Sequence, residues 1–437
     1  MTAVNERTTK LLYFVGVDWF FYSHFLDRAI AAKKAGYDVV VLTSRTRGES
    51  SLADHGIRVI WIPFARSSLH PLRFFRNLRD ITRVFREERP DIIHQVALKP
   101  ILAGSIAARW LGLKRVINAV VGLGFAFSSR ARSAKIARWF LLLFFKRIFK
   151  SLGSRVVFEN GDDCRYFLEN GWVDPEGAVL IRGAGVDIKR FSPRPHNTRS
   201  FSSPPVIMLL SRMLWDKGVG EFVVAARILQ AKHGLQYARF ILVGDPDEDN
   251  RGSIPREQLQ AWQQDGFIEW WGYREDVAGT LELATVSCLP SYREGLPKSL
   301  LESIAMGLPC VATDVPGCRE AVVNGVNGFL VPPRDPLALS QALERLLSNP
   351  SLLQQFGQAS RTMAVDQFSS DLINEQTLHL YRSLAPPVSS SRPSLSSIPS
   401  ESSPSTAQRG EGGPPSGRDQ VQSQDKASQG EGYLTRP

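Results

Sequence analysis

Apolar runs that read as short strands alternate with amphipathic helical segments along this chain, and the alternation starts twice. In the first series Lys10 to Gly16, Asp38 to Thr43, Arg58 to Ile62, Asp91 to His94, Arg155 to Phe158 and Val179 to Ile181 read as strands. Helices are expected over Trp19 to Ala35, Pro71 to Glu88 and Asp162 to Glu169. Such repetition builds a parallel sheet covered on both faces, because each helix buries its apolar stripe against the sheet it returns across. A stretch rich in Pro, Ser and Arg, Pro193 to Pro205, closes the series. Val206 to Leu210, Phe240 to Gly244, Val286 to Leu289 and Cys310 to Thr313 then open a second one. The expected fold is α/β: two doubly wound domains, residues 1–192 and 206–370, joined by a linker over 193–205.

Open parallel sheets bind ligands beyond the carboxyl ends of their strands. That rule makes Gly16 and His94 cleft candidates, and Gly244 a point where backbone can approach a ligand closely. Gly16 also reads as a turn glycine, and His94, after two isoleucines, as a satisfied structural histidine. Val15-Gly16-Val17-Asp18-Trp19 is no G-x-G-x-x-G, which removes the main support for a dinucleotide-binding oxidoreductase.

The densest chemistry follows the strand Val286 to Leu289. Ser291-Tyr-Arg-Glu294-Gly295-Leu296-Pro-Lys298-Ser299-Leu-Leu-Glu302 runs from a loop into a helix with apolar face Leu300, Leu301, Ile304 and Ala305. A helix start carries free N–H groups and the positive end of the dipole, so Gly295, Leu296, Lys298 and Ser299 belong to a candidate anion site. Glu294 and Glu302 border it, and carboxylates suit sugar or ribose hydroxyls better than phosphate oxygens. Arg212 and Lys217 follow another strand end, where their charge suits a pyrophosphate. On their own, an Arg and a Lys in a loop are usually solvated.

Composition narrows the class. The 437 residues are 43% apolar with net charge +10, which suits a globular protein with an anionic partner. No apolar run is long enough to span a bilayer, and the polar stretch Met1 to Lys10 lacks a signal-peptide core, so a cytosolic location is expected. Cys164, Cys288, Cys310 and Cys318 show no CxxC pairing and read as reduced thiols; no metal site is expected. Between Ile92 and Phe158 there is no Asp or Glu, and basic residues including Arg130, Arg132, Lys135 and Arg138 lie before the apolar centre of an aromatic helix expected over Ser133 to Ser151. That helix, with Trp139, Phe140, Phe144 and Phe145, has two readings. It lies on an anionic membrane surface, aromatic side down, or it packs on the domain with its charges solvated. Nucleic acid could use the charge, but no binding motif accompanies it. Beyond Ala385 the sequence is Ser, Pro, Gly, Gln and Arg, and residues 386–437 are expected to be a disordered tail.

The paired glutamates of Glu294-Gly-Leu-Pro-Lys-Ser-Leu-Leu-Glu302 resemble the signature of retaining glycosyltransferases of family 4, which have the GT-B fold of two Rossmann-like domains. The resemblance extends over Lys10 to Leu384. Gly183 to Pro193 is similar to the segment closing the family's N-terminal domain, with Ala184 where Asn is commoner. Ile268 to Val277, including Arg274, resembles its loop around the nucleobase; Asp314 to Gly317 and Asn324 to Pro332 are similar too. The resemblance implies an acceptor-binding first domain and a nucleotide-sugar-binding second domain. It also implies donor phosphates on Arg212 and Lys217, donor sugar hydroxyls on Glu294 and ribose on Glu302. A helix over residues 371–385 would pack back across both domains. Ile117 to Phe125 and Leu242 to Asn250 look most like bacterial surface-polysaccharide enzymes that act on undecaprenyl-diphosphate sugars, with a UDP-sugar as donor. Where many members carry a His this chain has Val121, so no catalytic His carries over. Alternatives of other classes are a nucleotide-sugar epimerase on the same fold and an inactive glycan-binding scaffold.

Overall fold

The computed structural model describes residues 8–46, 52–64, 71–122, 142–150, 152–193 and 204–385. The expected tail, most of the linker, and Arg130, Arg132, Lys135, Arg138, Trp139 and Phe140 lie outside the described residues.

Seven strands form the first sheet: β1 (Lys10–Val15), β2 (Asp38–Thr43), β3 (Arg58–Trp61), β4 (Ile92–Val96), β5 (Val116–Val120), β6 (Arg155–Phe158) and β7 (Ala178–Leu180). Their order is β3-β2-β1-β4-β5-β6-β7 and every pairing is parallel. The second sheet contains β8 (Val206–Leu210), β9 (Arg239–Val243), β10 (Glu269–Trp270), β11 (Val286–Leu289), β12 (Cys310–Thr313) and β13 (Gly328–Val331). It is also all parallel, in the order β10-β9-β8-β11-β12-β13. Both sheets thus reverse their strand order beside the first strand of the unit, the point at which such sheets open a crevice. The central strands are buried along their length, as expected of strands covered on both faces.

The expected helix Trp19 to Ala35 is two helices, Asp18–His24 and Leu26–Lys34, broken at Phe25 (φ −126°, ψ −8°). The break lets Phe21 and Phe25 enter the core together beneath Tyr13. Helix Ser370–Leu384 returns to the first sheet, where Ile373, Leu380 and Tyr381 join a core with Leu11, Tyr13, Val41 and Ile117.

Residues 142–150 are helical, and Leu142, Phe145, Ile148 and Phe149 are buried in the core of the first sheet, with Phe145 stacked on Phe149 at 5.3 Å between ring centroids. Phe144 packs against the same core. The expectation that Phe144 and Phe145 insert into a membrane is therefore overturned for the described part of that helix: its apolar face is already occupied. Among the described residues no helix is long and apolar enough to cross a membrane.

Candidate active site

A cleft of about 470 Å³ lies between the two sheets, at the strand ends where both units reverse their order. From the second unit it is lined by Ser211, Arg212, Lys217, Glu294, Gly295, Leu296, Lys298, Ser299 and Glu302, among others. Trp19, Phe20, Ser23, His24, Val121 and Glu159 line it from the first.

The loop after β11 is held from several sides. Ser291 is fully buried; its Oγ donates to Glu294 Oε1 at 2.6 Å, and its carbonyl accepts from the Thr313 hydroxyl. Lys217 Nζ donates to the same Glu294 oxygen at 2.5 Å. The turn that presents Lys217 ends at Gly218 (φ +73°), where any Cβ would overlap the Pro290 carbonyl, so only glycine lets the two loops meet. Lys217 and Glu294 keep 19% and 10% of their side-chain surface exposed, enough to face a ligand while remaining shielded. Arg212 is held by Asp247, and its guanidinium lies 5.5 Å from the Trp19 ring of the opposite wall.

The helix Lys298–Ala305 starts at the cleft, capped by Pro297 without a side-chain hydrogen bond. Lys298 Nζ donates across the cleft to the Ser23 carbonyl at 2.6 Å, and lies 3.6 Å from Glu302 one turn on. Burial raises the Glu302 carboxyl above its ordinary range, and the Lys298 ammonium offsets part of that.

Two residues of the first wall, His24 and Glu159, are not among the candidates named from the sequence. His24 sits stacked on Phe20 (4.1 Å between centroids) with Nδ1 2.5 Å from Ser23 Oγ. Burial, then the charge of Lys298, pushes its pKa down to about 3, so the ring is neutral at physiological pH. Glu159 follows directly on β6, is 7% exposed, and receives the Leu296 N–H. Burial raises its carboxyl to about 7 against the pull of Arg28. A Cβ at Gly295 would stand 2.7 Å from Glu159 Oε2 and 2.8 Å from the Val121 carbonyl, so glycine is what lets the two units close here. The strand-end rule, applied to β6 as to β1 and β4, points to Glu159.

The remaining candidates fall elsewhere. His94 does not line the cleft: it is 1% exposed, stacked on Tyr13, with Nδ1 2.7 Å from the Tyr381 hydroxyl. The returning C-terminal helix covers it through Tyr381, and burial lowers its pKa to about 3. Gly16 ends β1 with its carbonyl accepting from Ser44 Oγ (2.7 Å), and Gly244 ends β9 with its carbonyl accepting from the Trp270 indole (2.8 Å). Neither is among the residues lining the cleft. Arg274 is exposed, 5.5 Å from the Trp271 ring, and is outside the lining as well. Trp270 and Trp271 pack against the two cores of the second unit.

Contacts between the units continue beside the cleft. Asn160 Nδ2 donates to the Gly295 carbonyl (2.8 Å), Gly161 N–H to Glu320 (2.6 Å) and Arg319 to Asp162 (2.6 Å), while Arg293 pairs with Asp163. A larger hollow of about 690 Å³, with Arg86, Arg89, Lys114 and Arg115 on its walls, opens at the amino ends of β4 and β5. That edge of the sheet is opposite the cleft.

Comparison with known proteins identifies the family and the fold. Residues 204–349 match the family described as "Glycosyl transferases group 1", and residues 10–152 match "Glycosyl transferase 4-like". The N,N'-diacetylbacillosaminyl-diphospho-undecaprenol alpha-1,3-N-acetylgalactosaminyltransferase of Campylobacter jejuni is 28% identical over 82% of this chain and 94% of its own length. The UDP-Gal:alpha-D-GlcNAc-diphosphoundecaprenol alpha-1,3-galactosyltransferase of Escherichia coli is 24% identical over 72% and 81%. Among solved structures, HepE of Anabaena in complex with UDP superposes with a TM-score of 0.69 at 17% identity, covering 86% of this chain and all (100%) of that one. Sucrose-phosphate synthase of Thermosynechococcus elongatus gives 0.70 at 20% identity, covering 86% and 99%. With two parallel α/β units around one cleft and a family match on each unit, the chain belongs to the group 1, family 4-like glycosyltransferases of GT-B fold.

Proposed function

We propose that this enzyme moves a hexosyl or N-acetylhexosaminyl group from a UDP-sugar to a saccharide carried on a lipid diphosphate, with retention, in assembly of a bacterial surface polysaccharide. The observation that carries the reading is the Lys217–Glu294 pair, 2.5 Å apart at the cleft, with Arg212 beside it. An incoming diphosphate competes for the ammonium of Lys217 and the guanidinium of Arg212 and frees the Glu294 carboxylate for sugar hydroxyls. Charge that builds on the departing nucleotide is then met by preorganised cations and by the start of helix Lys298–Ala305, and no metal is assigned a part. Glu294 positions the donor sugar rather than attacking it, and Glu302 receives the ribose. The aromatic wall of Trp19 and Phe20, with neutral His24, faces the acceptor. Both relatives named above act on saccharides linked to diphospho-undecaprenol, which supports a lipid-linked acceptor and work at the inner face of the cell membrane.

The test is incubation of purified protein with a panel of nucleotide sugars and bacterial lipid extract, reading released UDP, glycolipid mass and the anomeric configuration of the new bond. One UDP-sugar is expected to give UDP and a heavier glycolipid with the donor's configuration. Interconversion of UDP-sugars without any acceptor would instead mark an epimerase, and release of UDP by none of the panel would contradict the proposal.

A further inference from the structure

Helix Pro71–Glu88 carries a surface that the fold does not explain. Its inner face, Leu78, Ile81, Val84 and Phe85, is buried in the core of the first sheet. On the outer face, Leu72, Phe75, Arg76, Arg79, Arg83 and Arg86 recur at i, i+3, i+4, i+7, i+11 and i+14, which aligns them in one stripe. Leu72 and Phe75 are 74% and 64% exposed, the two most exposed large apolar residues of that helix.

The charges are placed against the helix's own preference. The positive end of a helix dipole favours acids, yet the stretch from Pro71 to Arg79 has Arg73, Arg76 and Arg79 and no acid. Asp80 lies 3.8 Å from Arg79 and 3.9 Å from Arg83, and Glu88 is committed to Lys10 and Arg58. Two bare apolar side chains among arginines that outnumber the acids match a lipid surface better than a soluble polyanion, which offers nothing to Leu72 and Phe75.

Topology fixes where this end lies. The helix returns from the carboxyl end of β3 to the amino end of β4, so its first turns stand at the cleft-side edge of the sheet. Phe64, which follows β3 on the way to the helix, packs beside Gly16 at the carboxyl end of β1, so the chain is still at that edge three residues after the strand.

We propose that the first three turns of this helix, Leu72, Arg73, Phe75, Arg76 and Arg79, dock the enzyme on an anionic bilayer with the cleft at the membrane side. The inference rests on the lipid-linked acceptor proposed above. Leu72 and Phe75 enter the acyl boundary, the arginines meet anionic headgroups, and each cation adds about fivefold to the partition at a charged surface.

The experiment is sedimentation of full-length protein with vesicles of phosphatidylglycerol and phosphatidylcholine, and of phosphatidylcholine alone, at physiological salt. Wild type is expected to bind the anionic vesicles at least about tenfold better than the neutral ones, from about fivefold per cation. Arg73→Glu/Arg76→Glu/Arg79→Glu should lose that binding, and Leu72→Ser/Phe75→Ser should weaken it severalfold. Circular dichroism and UDP release with a short soluble acceptor should be unchanged in both, so failure of the docking face and failure of the proposed reaction are read separately. Equal vesicle binding by wild type and the triple variant would overturn the proposal. So would loss of binding only when Arg130, Arg132, Lys135 and Arg138 are changed to Glu, or binding to soluble polyphosphate without binding to vesicles.

Discussion

The two halves of this enzyme share a strand order around their first strands but meet the cleft in different ways. The second half presents charge: Lys217 on Glu294, Arg212 on Asp247, and Lys298 beside Glu302 at a helix start. The first half presents rings and shielded polar groups: Trp19, Phe20, neutral His24 and the raised carboxyl of Glu159. One fold has thus been given one wall of paired charges and another of rings and shielded polar groups. The sheet decides where a site is, and the loops decide what it holds.

That division can be broken first at the glycines. Gly218→Ala forces a side chain onto the Pro290 carbonyl at positive φ and should cost more than about 3 kcal/mol in urea unfolding, whereas Gly36→Ala in the first half, at φ +93° with nothing within 4 Å of the added carbon, should cost about 1 kcal/mol. Equal costs would mean the loop contact is not tight. Next in size, Lys217→Ala should lower kcat/KM by about 2–4 kcal/mol, the range for losing one preorganised donor to developing charge, with the melting temperature tracked alongside. A wild-type rate would remove Lys217 from the site.

Glu159 sharpens the comparison through pH. Its folded pKa, about 7, lies above the ordinary 4.5, so the folded state holds the proton more tightly than the unfolded one. The stability this contributes is full below the unfolded value and is lost as pH rises through about 7. The Glu159→Gln variant should therefore gain on wild type between about pH 5 and pH 8 by up to roughly 3 kcal/mol, from about 1.4 kcal/mol per pKa unit. Parallel pH profiles of unfolding free energy would show that the carboxyl is not held in this way. The smallest effect expected is none: a chelator should leave glycosyl transfer unchanged, and a loss restored by a divalent cation would give a metal the part assigned here to Arg212 and Lys217.

The second wall is legible in the sequence because its chemistry is local. Glu294, Gly295, Leu296, Lys298, Ser299 and Glu302 sit on one loop and one helix, so spacing alone carries them to one side of the cleft. The first wall is assembled from the ends of separate elements, and nothing in the run Trp19 to His24 distinguishes a cleft ring from a core ring. Phe20 and Phe21 are adjacent; one lines the cleft and the other is fully buried. His94 escapes the sequence for a related reason. It satisfies the strand-end rule, but the chain's last helix, nearly three hundred positions away (|i−j| = 287 for the Tyr381 contact), covers it. The aromatic helix near residue 145 likewise has the pattern of a free amphipathic surface, and only the tertiary core that holds Phe145 and Phe149 shows where that face goes.

The central proposal, that Arg212 and Lys217 of the second half hold the nucleotide, is tested most directly by calorimetric titration of UDP into wild type, Arg212→Ala/Lys217→Ala and His24→Ala. The double variant is expected to lose UDP binding by at least about a hundredfold, on roughly 1.5–3 kcal/mol for each charged hydrogen bond, while His24→Ala binds UDP as wild type does. Undiminished affinity in the double variant, or an equal loss in His24→Ala, would contradict it.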